Sequence, residues 1–200
     1  LKRVGVLISG RGSNLQALLD AARAGLLGGE IAVTISNVEG APGLERARQS
    51  GVPALVSDHR GRTREEHDAA VAGLLKDHGV DLVCLAGYMR LLSPAFLRAF
   101  PGRVLNVHPS LLPAFPGRDA QRQAWEHGVK VSGATVHVVD EALDAGPIVA
   151  QEAVPVLEGD GPAELAARIL EAEHRIYPKA VRVVLGGRFR IEGRRLRIEG

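Results

Sequence analysis

Asn106 and His108 are the pair whose types and spacing point to chemistry. They sit two apart in Val104-Leu-Asn-Val-His-Pro-Ser-Leu-Leu-Pro113, a stretch that opens with strand formers. Side chains alternate between the faces of a strand, so the amide and the imidazole point the same way. Pro109 cannot donate to a sheet ladder, so the strand should end near His108. The strand thus delivers an amide and an imidazole together at its C-terminal end, the edge of an open parallel sheet where ligands bind. The plainer alternative is that the two merely satisfy each other. Two polar groups on one face of an apolar strand, followed by Pro109, Ser110 and Pro113, favour a site.

A second stretch lies at the N-terminus. Val4–Ile8 reads as a short buried strand, and Leu15, Leu18, Leu19 and Ala22 follow at helical spacing. Between them lies Ser9-Gly-Arg-Gly-Ser-Asn14. Gly10 and Gly12 permit a tight backbone path and close approach by a ligand. The free N–H groups and the dipole at the helix start favour an anion, and Ser13 or Asn14 can cap the helix or donate to a phosphate. The string is neither a Walker A motif nor a full G-x-G-x-x-G, so dinucleotide binding is not implied. An ordinary capped strand-to-helix turn also fits it.

The elements that must position these residues alternate strand and helix through residue 108. Strands are expected over Ile31–Ile35, Val52–Val56 and Asp81–Ala86, and helices over Gly43–Gly51, after the Thr63-Arg-Glu-Glu66 capping box to about His78, and from Ser93-Pro94. After residue 108 come a helix over about Asp119–Glu126, a strand over Val131–Val139, an acidic loop at 140–146, and a strand over Ile148–Val156, read as antiparallel. A long helix follows from Gly161-Pro162 to about Leu185. Along 131–139, Thr135 and His137 share a face; His137 taken alone reads as a locally satisfied sheet histidine. The fold class is therefore α/β: a mostly parallel, Rossmann-like open sheet flanked by helices, with antiparallel C-terminal strands and a long C-terminal helix. Ligands bind such sheets beyond the C-terminal strand ends. One domain over 1–187 is expected, in two halves, 1–100 around the Gly-rich turn and 101–187 around the Asn106–His108 strand, plus a hairpin at 188–200.

Composition narrows the function classes. Two hundred residues, 46% of them hydrophobic, suit one domain with an ample core. No apolar run is long enough to span a membrane, and the apolar start is too short for a signal peptide; a cytoplasmic protein is expected. The formal charge is only +2. The cluster Arg188, Arg190, Arg194, Arg195 and Arg197 alternates with apolar residues as in a hairpin with a solvated face, so no nucleic-acid partner is expected. Cys84 is the only cysteine, which excludes an internal disulfide and a cysteine-based zinc site. A metal held by His108, His137 and Asp144 is disfavoured, because no HExxH-type spacing exists and Asn106 is not a usual zinc ligand. A hydrolase using Ser110 is disfavoured by the lack of a G-x-S-x-G elbow.

Asn-x-His-Pro-Ser-Leu-Leu-Pro at 106–113, together with Ser-Gly-x-Gly-Ser-Asn-Leu-Gln at 9–16, resembles the formyltransferases that use 10-formyltetrahydrofolate, and among them the family that formylates glycinamide ribonucleotide in purine synthesis. The resemblance runs from about Val4 to about Gly187. It implies that Gly12, Ser13 and Asn14 bind the substrate's phosphate, with Glu173 of Glu173-His-Arg-Ile-Tyr-Pro178 at the ribose or phosphate. It implies a folate site of Met89, Arg90, Leu91, Leu92, Asn106, Asp140 and Asp144, with Arg64 near the nucleotide or the folate tail; an exposed helix-start arginine is the other reading of Arg64. Asp144, in Asp-Ala-Gly146, would be the third catalytic group beside Asn106 and His108, because a carboxylate next to an imidazole favours its charged form. Thr135 and His137 would stand behind these groups. The implied co-substrate is 10-formyltetrahydrofolate, with no metal, no membrane or nucleic-acid partner, and a monomer or weak homodimer.

Two positions depart from the family pattern. Leu170 stands where a polar phosphate helper is expected, and Gln121 where a histidine often follows the Pro-x-x-Gly turn. Three rivals remain. A 10-formyltetrahydrofolate hydrolase would share the reacting residues but carry an extra N-terminal domain, whereas this chain opens on the phosphate-loop strand. A methionyl-tRNA formyltransferase would need an RNA-binding domain after Gly187. A non-catalytic nucleotide- or folate-binding protein is disfavoured by retention of all three reactive residues.

Overall fold

The computed structural model describes residues 1–199. Five strand–helix alternations come first: β1 (Arg3–Ile8), α1 (Ser13–Arg23), β2 (Glu30–Ser36), α2 (Pro42–Gln49), β3 (Ala54–Val56), α3 (Arg64–Asp77), β4 (Leu82–Leu85), α4 (Pro94–Ala99), β5 (Val104–His108) and α5 (Ala120–His127). Then follow β6 (Val131–Val138), β7 (Ile148–Pro155), α6 (Pro162–Gly186), β8 (Phe189–Glu192) and β9 (Arg195–Ile198). The strands form one sheet in the order β3-β2-β1-β4-β5-β6-β7-β9-β8. The run from β3 to β5 is parallel, and β5–β6 and β6–β7 are antiparallel.

This order fixes where a ligand can sit. From β1 the chain winds outward through β2 and β3, then returns to the other side of β1 with β4. The connections leaving β1 and β4 therefore diverge, and a crevice opens between them at the C-terminal strand ends. The Gly-rich loop leaves β1 there, and residues 86–93 leave β4.

Both faces of the sheet are covered, which is why its parallel strands read as continuous apolar runs. Val4, Val6, Ile8 and Cys84 pack with α1, α2 and α6. Leu7, Val33, Ile35, Val83 and Leu85 face the other way, towards α3 and α4. On α6 the buried residues Leu165, Ile169, Ala172, Ile176, Ala180 and Val184 recur at three- and four-residue spacing, one helical stripe against the sheet. Its Tyr177 hydroxyl lies against the carbonyls of Leu85 (2.8 Å) and Leu105 (3.1 Å), fixing the helix to the ends of β4 and β5.

The expected elements form, with three adjustments. β3 begins after Pro53, whose missing N–H cannot extend the ladder. Helix α5 begins at Ala120, because Asp119 is left-handed (φ 52°) and serves as its N-cap. The C-terminal hairpin is not a free appendage: β9 pairs with β7 at Ile148↔Arg195 and extends the main sheet. The capping box at Thr63 is present, with the Thr63 hydroxyl accepting from the Glu66 N–H and the Glu66 carboxylate accepting from the Thr63 N–H.

Candidate active site

Antiparallel pairing of β5 with β6 builds the centre of the site. Asn106 lies opposite His137, and His108 opposite Thr135, so all four side chains share one face of the sheet. The Thr135 hydroxyl donates to the Ser110 carbonyl (2.7 Å) and accepts from the Leu112 N–H (3.1 Å) and from Gln151 (3.0 Å). It thereby holds the turn after Pro109. The Ser110 hydroxyl donates to the Ala114 carbonyl at 2.6 Å, which makes it a turn-former rather than a nucleophile.

His108 is buried, and its Nε2 lies 2.8 Å from the carbonyl of Phe115. A carbonyl only accepts, so Nε2 carries a proton. The other nitrogen, Nδ1, faces Asp144 Oδ2 at 3.5 Å. Asp144 is held from behind by the Gly117 N–H, 2.8 Å from the same oxygen. Its other oxygen lies 3.8 Å from His137 Nε2, so the carboxylate stands between two imidazoles. Asp144 adopts a left-handed backbone (φ 49°), a strained conformation that the surrounding loop must enforce. Gly146 explains part of this: a Cβ there would lie 1.7 Å from the Val138 carbonyl oxygen, so the loop passes closer to β6 than any other residue allows.

His137 does more than the sheet histidine expected from sequence. Its Nδ1 lies 3.2 Å from the Val138 carbonyl, so that nitrogen carries the proton and Nε2 is left as an acceptor. The Asn106 amide nitrogen is 3.4 Å from Nε2. Burial is the main cause that lowers the His137 pKa, against the opposing pull of the Val138 bond and Asp144, and this keeps the ring neutral. His137 thus orients the Asn106 amide and leaves its second N–H free.

Two clefts lie at this edge of the sheet, and the second takes in Asn106, His137 and Asp144. The first, about 260 Å³, is lined by residues 9–14 of the Gly-rich loop together with Ala86, Gly87 and Met89. Gly12 is the N-cap of α1, left-handed (φ 72°), and no side chain caps the helix. A Cβ there would lie 2.8 Å from Gly43 Cα. Ser13 opens α1, while Asn14 is buried with its Oδ1 unpaired. Glu173 is also buried rather than a surface glutamate; burial pushes its carboxyl up to about 7, and the neighbouring Asn14 side chain opposes the rise. Leu170 is half-buried one turn earlier on α6. A positive group that sequence reading did not single out is Arg46 of α2, whose Nε donates to the Arg11 carbonyl at 2.8 Å.

The second cleft, about 210 Å³, collects Arg64, Arg90, Leu91, Leu92, Asn106, His137, Asp140 and Asp144, all singled out from sequence. It adds Tyr88 and Leu143, which were not. Met89 was expected here but lines the Gly-rich cleft instead. The reason is local: its N–H donates to the Ser9 hydroxyl at 2.9 Å, turning residue 89 towards the β1 loop while residues 88 and 90 face the other cleft. The 87–92 segment is thus a wall shared by both clefts. Among the described residues, no group of three or more His, Cys, Asp or Glu is arranged to hold a metal ion, and no helix is long and apolar enough to cross a membrane.

A strand-end amide and histidine, with a carboxylate between two imidazoles, form a cluster of hydrogen-bond donors and a charge at the ligand-binding edge of an open α/β sheet. Residues 2–181 match the formyl transferase family, and the chain belongs to it. It is 50% identical over 189 residues to the trifunctional purine biosynthetic protein adenosine-3 of Drosophila melanogaster, covering 93% of this chain but only 14% of that protein's length. It is 42% identical to the phosphoribosylglycinamide formyltransferase of Escherichia coli (strain K12), over 98% of this chain and 96% of the relative. The crystal structure of glycinamide ribonucleotide transformylase 1 from Symbiobacterium toebii superposes with a TM-score of 0.98 at 59% identity, covering 100% of this chain and 95% of that one. A formyltetrahydrofolate deformylase from Pseudomonas syringae superposes with a TM-score of 0.92 at 31% identity, covering 100% of this chain and 66% of that one.

Proposed function

We propose that the protein transfers a formyl group from 10-formyltetrahydrofolate to the primary amine of glycinamide ribonucleotide, in the cytoplasm, as a monomer or weak homodimer. The observation that carries this reading is that Asn106 and Asp144, with His108 against Asp144, open on a cleft that shares its 87–92 wall with a Gly-rich cleft of different character. The Gly-rich cleft suits a phosphate: uncapped N–H groups of α1, Ser13 and Asn14 face it, and Arg11 lines it. Glu173 would take the ribose hydroxyls. The other cleft, with apolar walls at Leu91, Leu92 and Leu143 and polar groups at Arg64, Arg90 and Asp140, suits a pterin and its polar tail. On this reading the halves at 1–100 and 101–187 meet in that pocket, with Arg64, Tyr88 and residues 90–92 from the first and Asn106, Asp140 and Asp144 from the second.

The chemistry follows from the geometry. The neutral amine attacks the formyl carbon, a C–N bond forms, and the carbonyl electron pair moves onto oxygen. Asn106 donates its free amide N–H to that oxyanion. His108 donates from Nδ1, because 3.5 Å to Asp144 is longer than a hydrogen bond and leaves that N–H uncommitted. Asp144 balances the protonated ring and organises a water that carries the proton from the attacking amine to N10. The intermediate then collapses, the C–N10 bond breaks, and N10 leaves with that proton. Asn106→Ala and His108→Ala should each lower kcat about 100–1000-fold, the usual cost of one oxyanion donor, with the KM for the nucleotide little changed. Normal turnover in either variant overturns the mechanism.

A further inference from the structure

Behind the shared wall lies a buried polar group that the reaction scheme does not use. Helix α3 carries Arg64 at the second cleft; His67 and Asp68 follow three and four residues later, on the same helical face. Both are buried, His67 fully and Asp68 with 1% exposure. A buried carboxylate is costly unless it is bonded. Asp68 Oδ2 accepts from the Ser93 N–H at 2.6 Å, across 25 residues of chain. Ser93 is the N-cap of α4 and the end of the segment that lines the cleft through Tyr88, Arg90, Leu91 and Leu92. The other end of that segment is tied to the Gly-rich loop by the Met89–Ser9 bond.

The rest of this chamber is unsatisfied. Asp68 Oδ1, His67 Nδ1, the Tyr88 hydroxyl and Arg90 Nε are all buried without partners. His67 Nε2 lies 2.7 Å from the Ser57 carbonyl, so it carries the proton and Nδ1 is an acceptor. Nδ1 and Asp68 Oδ1 are 3.8 Å apart. Burial, reinforced by the Asp68 charge and opposed by Arg90, holds the Tyr88 hydroxyl pKa well above its ordinary value, so it remains a donor. Two acceptors on α3 and two donors on the loop are thus left buried and unpaired.

We propose that Asp68 is a positioning residue for the donor pocket: it anchors residues 88–93 to α3, and pairing of Tyr88 and Arg90 with the acceptors on α3, directly or through a water, accompanies folate binding. This rests on reading the second cleft as the folate site. Hydrogen–deuterium exchange tests the tether in the wild-type protein, without reference to activity. The Ser93 amide should be protected, and tetrahydrofolate should slow exchange across 88–93 further; free-loop exchange at Ser93 overturns the proposal. Steady-state kinetics test the consequence. Asp68→Ala should raise the KM for the formylfolate about tenfold while the KM for the nucleotide and kcat stay within about threefold, the loss of one buried charge-assisted bond. Asp68→Asn, which keeps an acceptor for Ser93, should restore most of that loss. Ser93→Ala, which removes the α4 cap but keeps the N–H, should lower stability and leave both KM values unchanged. Equal rises in both KM values, or a stability loss alone in Asp68→Ala, would make Asp68 merely structural. Absence of any turnover in the wild type would count against the proposed reaction, and the exchange result would still decide the tether.

Discussion

Glu173 shows how one side chain links fold and function. It is buried against Asn14 beside the Gly-rich cleft, and burial raises its carboxyl to about 7 from the ordinary 4.5. The folded state therefore holds a proton that the unfolded chain releases. The stability associated with the neutral form is fully present below about pH 4.5 and is lost as pH rises through about 7. Glu173→Gln should match the wild type at pH 4 and be more stable at pH 8, by up to about 3 kcal/mol, in urea unfolding at the two values. The same variant should weaken nucleotide binding if the carboxylate takes the ribose. A wild-type advantage at pH 8 would contradict this account. At this scale the sequence is legible only in part. Asn106 and His108 could be paired by strand alternation alone. Asp144 could not, because nothing in 140–146 says where the loop folds; it entered through family resemblance. His137 stands behind the catalytic groups only through the resemblance, because its place opposite Asn106 is a register that becomes visible once β5 and β6 pair. Tyr88 gave no signal beyond an apolar loop at a strand end.

The 140–147 loop carries Asp144, the proposed third catalytic group. Three separate contacts shape it: the Gly117 N–H on Asp144, the close passage of Gly146 by Val138, and the Arg194 guanidinium, which donates to the Ala145 carbonyl at 2.6 Å. Gly146→Ala must displace the loop, and a shift of about 1 Å at a reacting group costs on the order of 100-fold. We expect that loss in kcat with the nucleotide KM nearly unchanged; unchanged kcat would show that Asp144 tolerates displacement. Arg194 belongs to the turn of the C-terminal hairpin, beyond the residues matched to the family. Its contact is exposed, so Arg194→Ala should lower kcat only about 2–10-fold, the worth of one ordinary hydrogen bond. Rescue by Arg194→Lys would separate a placed contact from a general loss of charge. The elements themselves are readable because strand and helix periodicities alternate cleanly and the helix starts carry Ser, Thr, Gly or Pro signals, or Asp119 at α5. The docking of the hairpin onto β7 was not, since its alternating arginines suit a free ribbon equally well.

Across the molecule, the sheet order places the β1 and β4 connections at one crevice, while the turn to antiparallel pairing at β5–β6 brings Asn106, His108, Thr135 and His137 onto one face. The Gly-rich cleft belongs to the parallel half, and the cleft with Asn106 and Asp144 draws on both halves. This arrangement would hold the two proposed substrates in neighbouring clefts. It also sets the main distinction from a deformylase, which needs only the donor and water at such a centre. The most direct measurement is spectroscopic: tetrahydrofolate release from 10-formyltetrahydrofolate, followed with and without glycinamide ribonucleotide. Release that requires the nucleotide, with one formylated product per folate, is the result predicted. Equal release in its absence would contradict the transferase and make the protein a hydrolase, and no release by the folded protein would contradict catalysis at Asn106, His108 and Asp144 altogether.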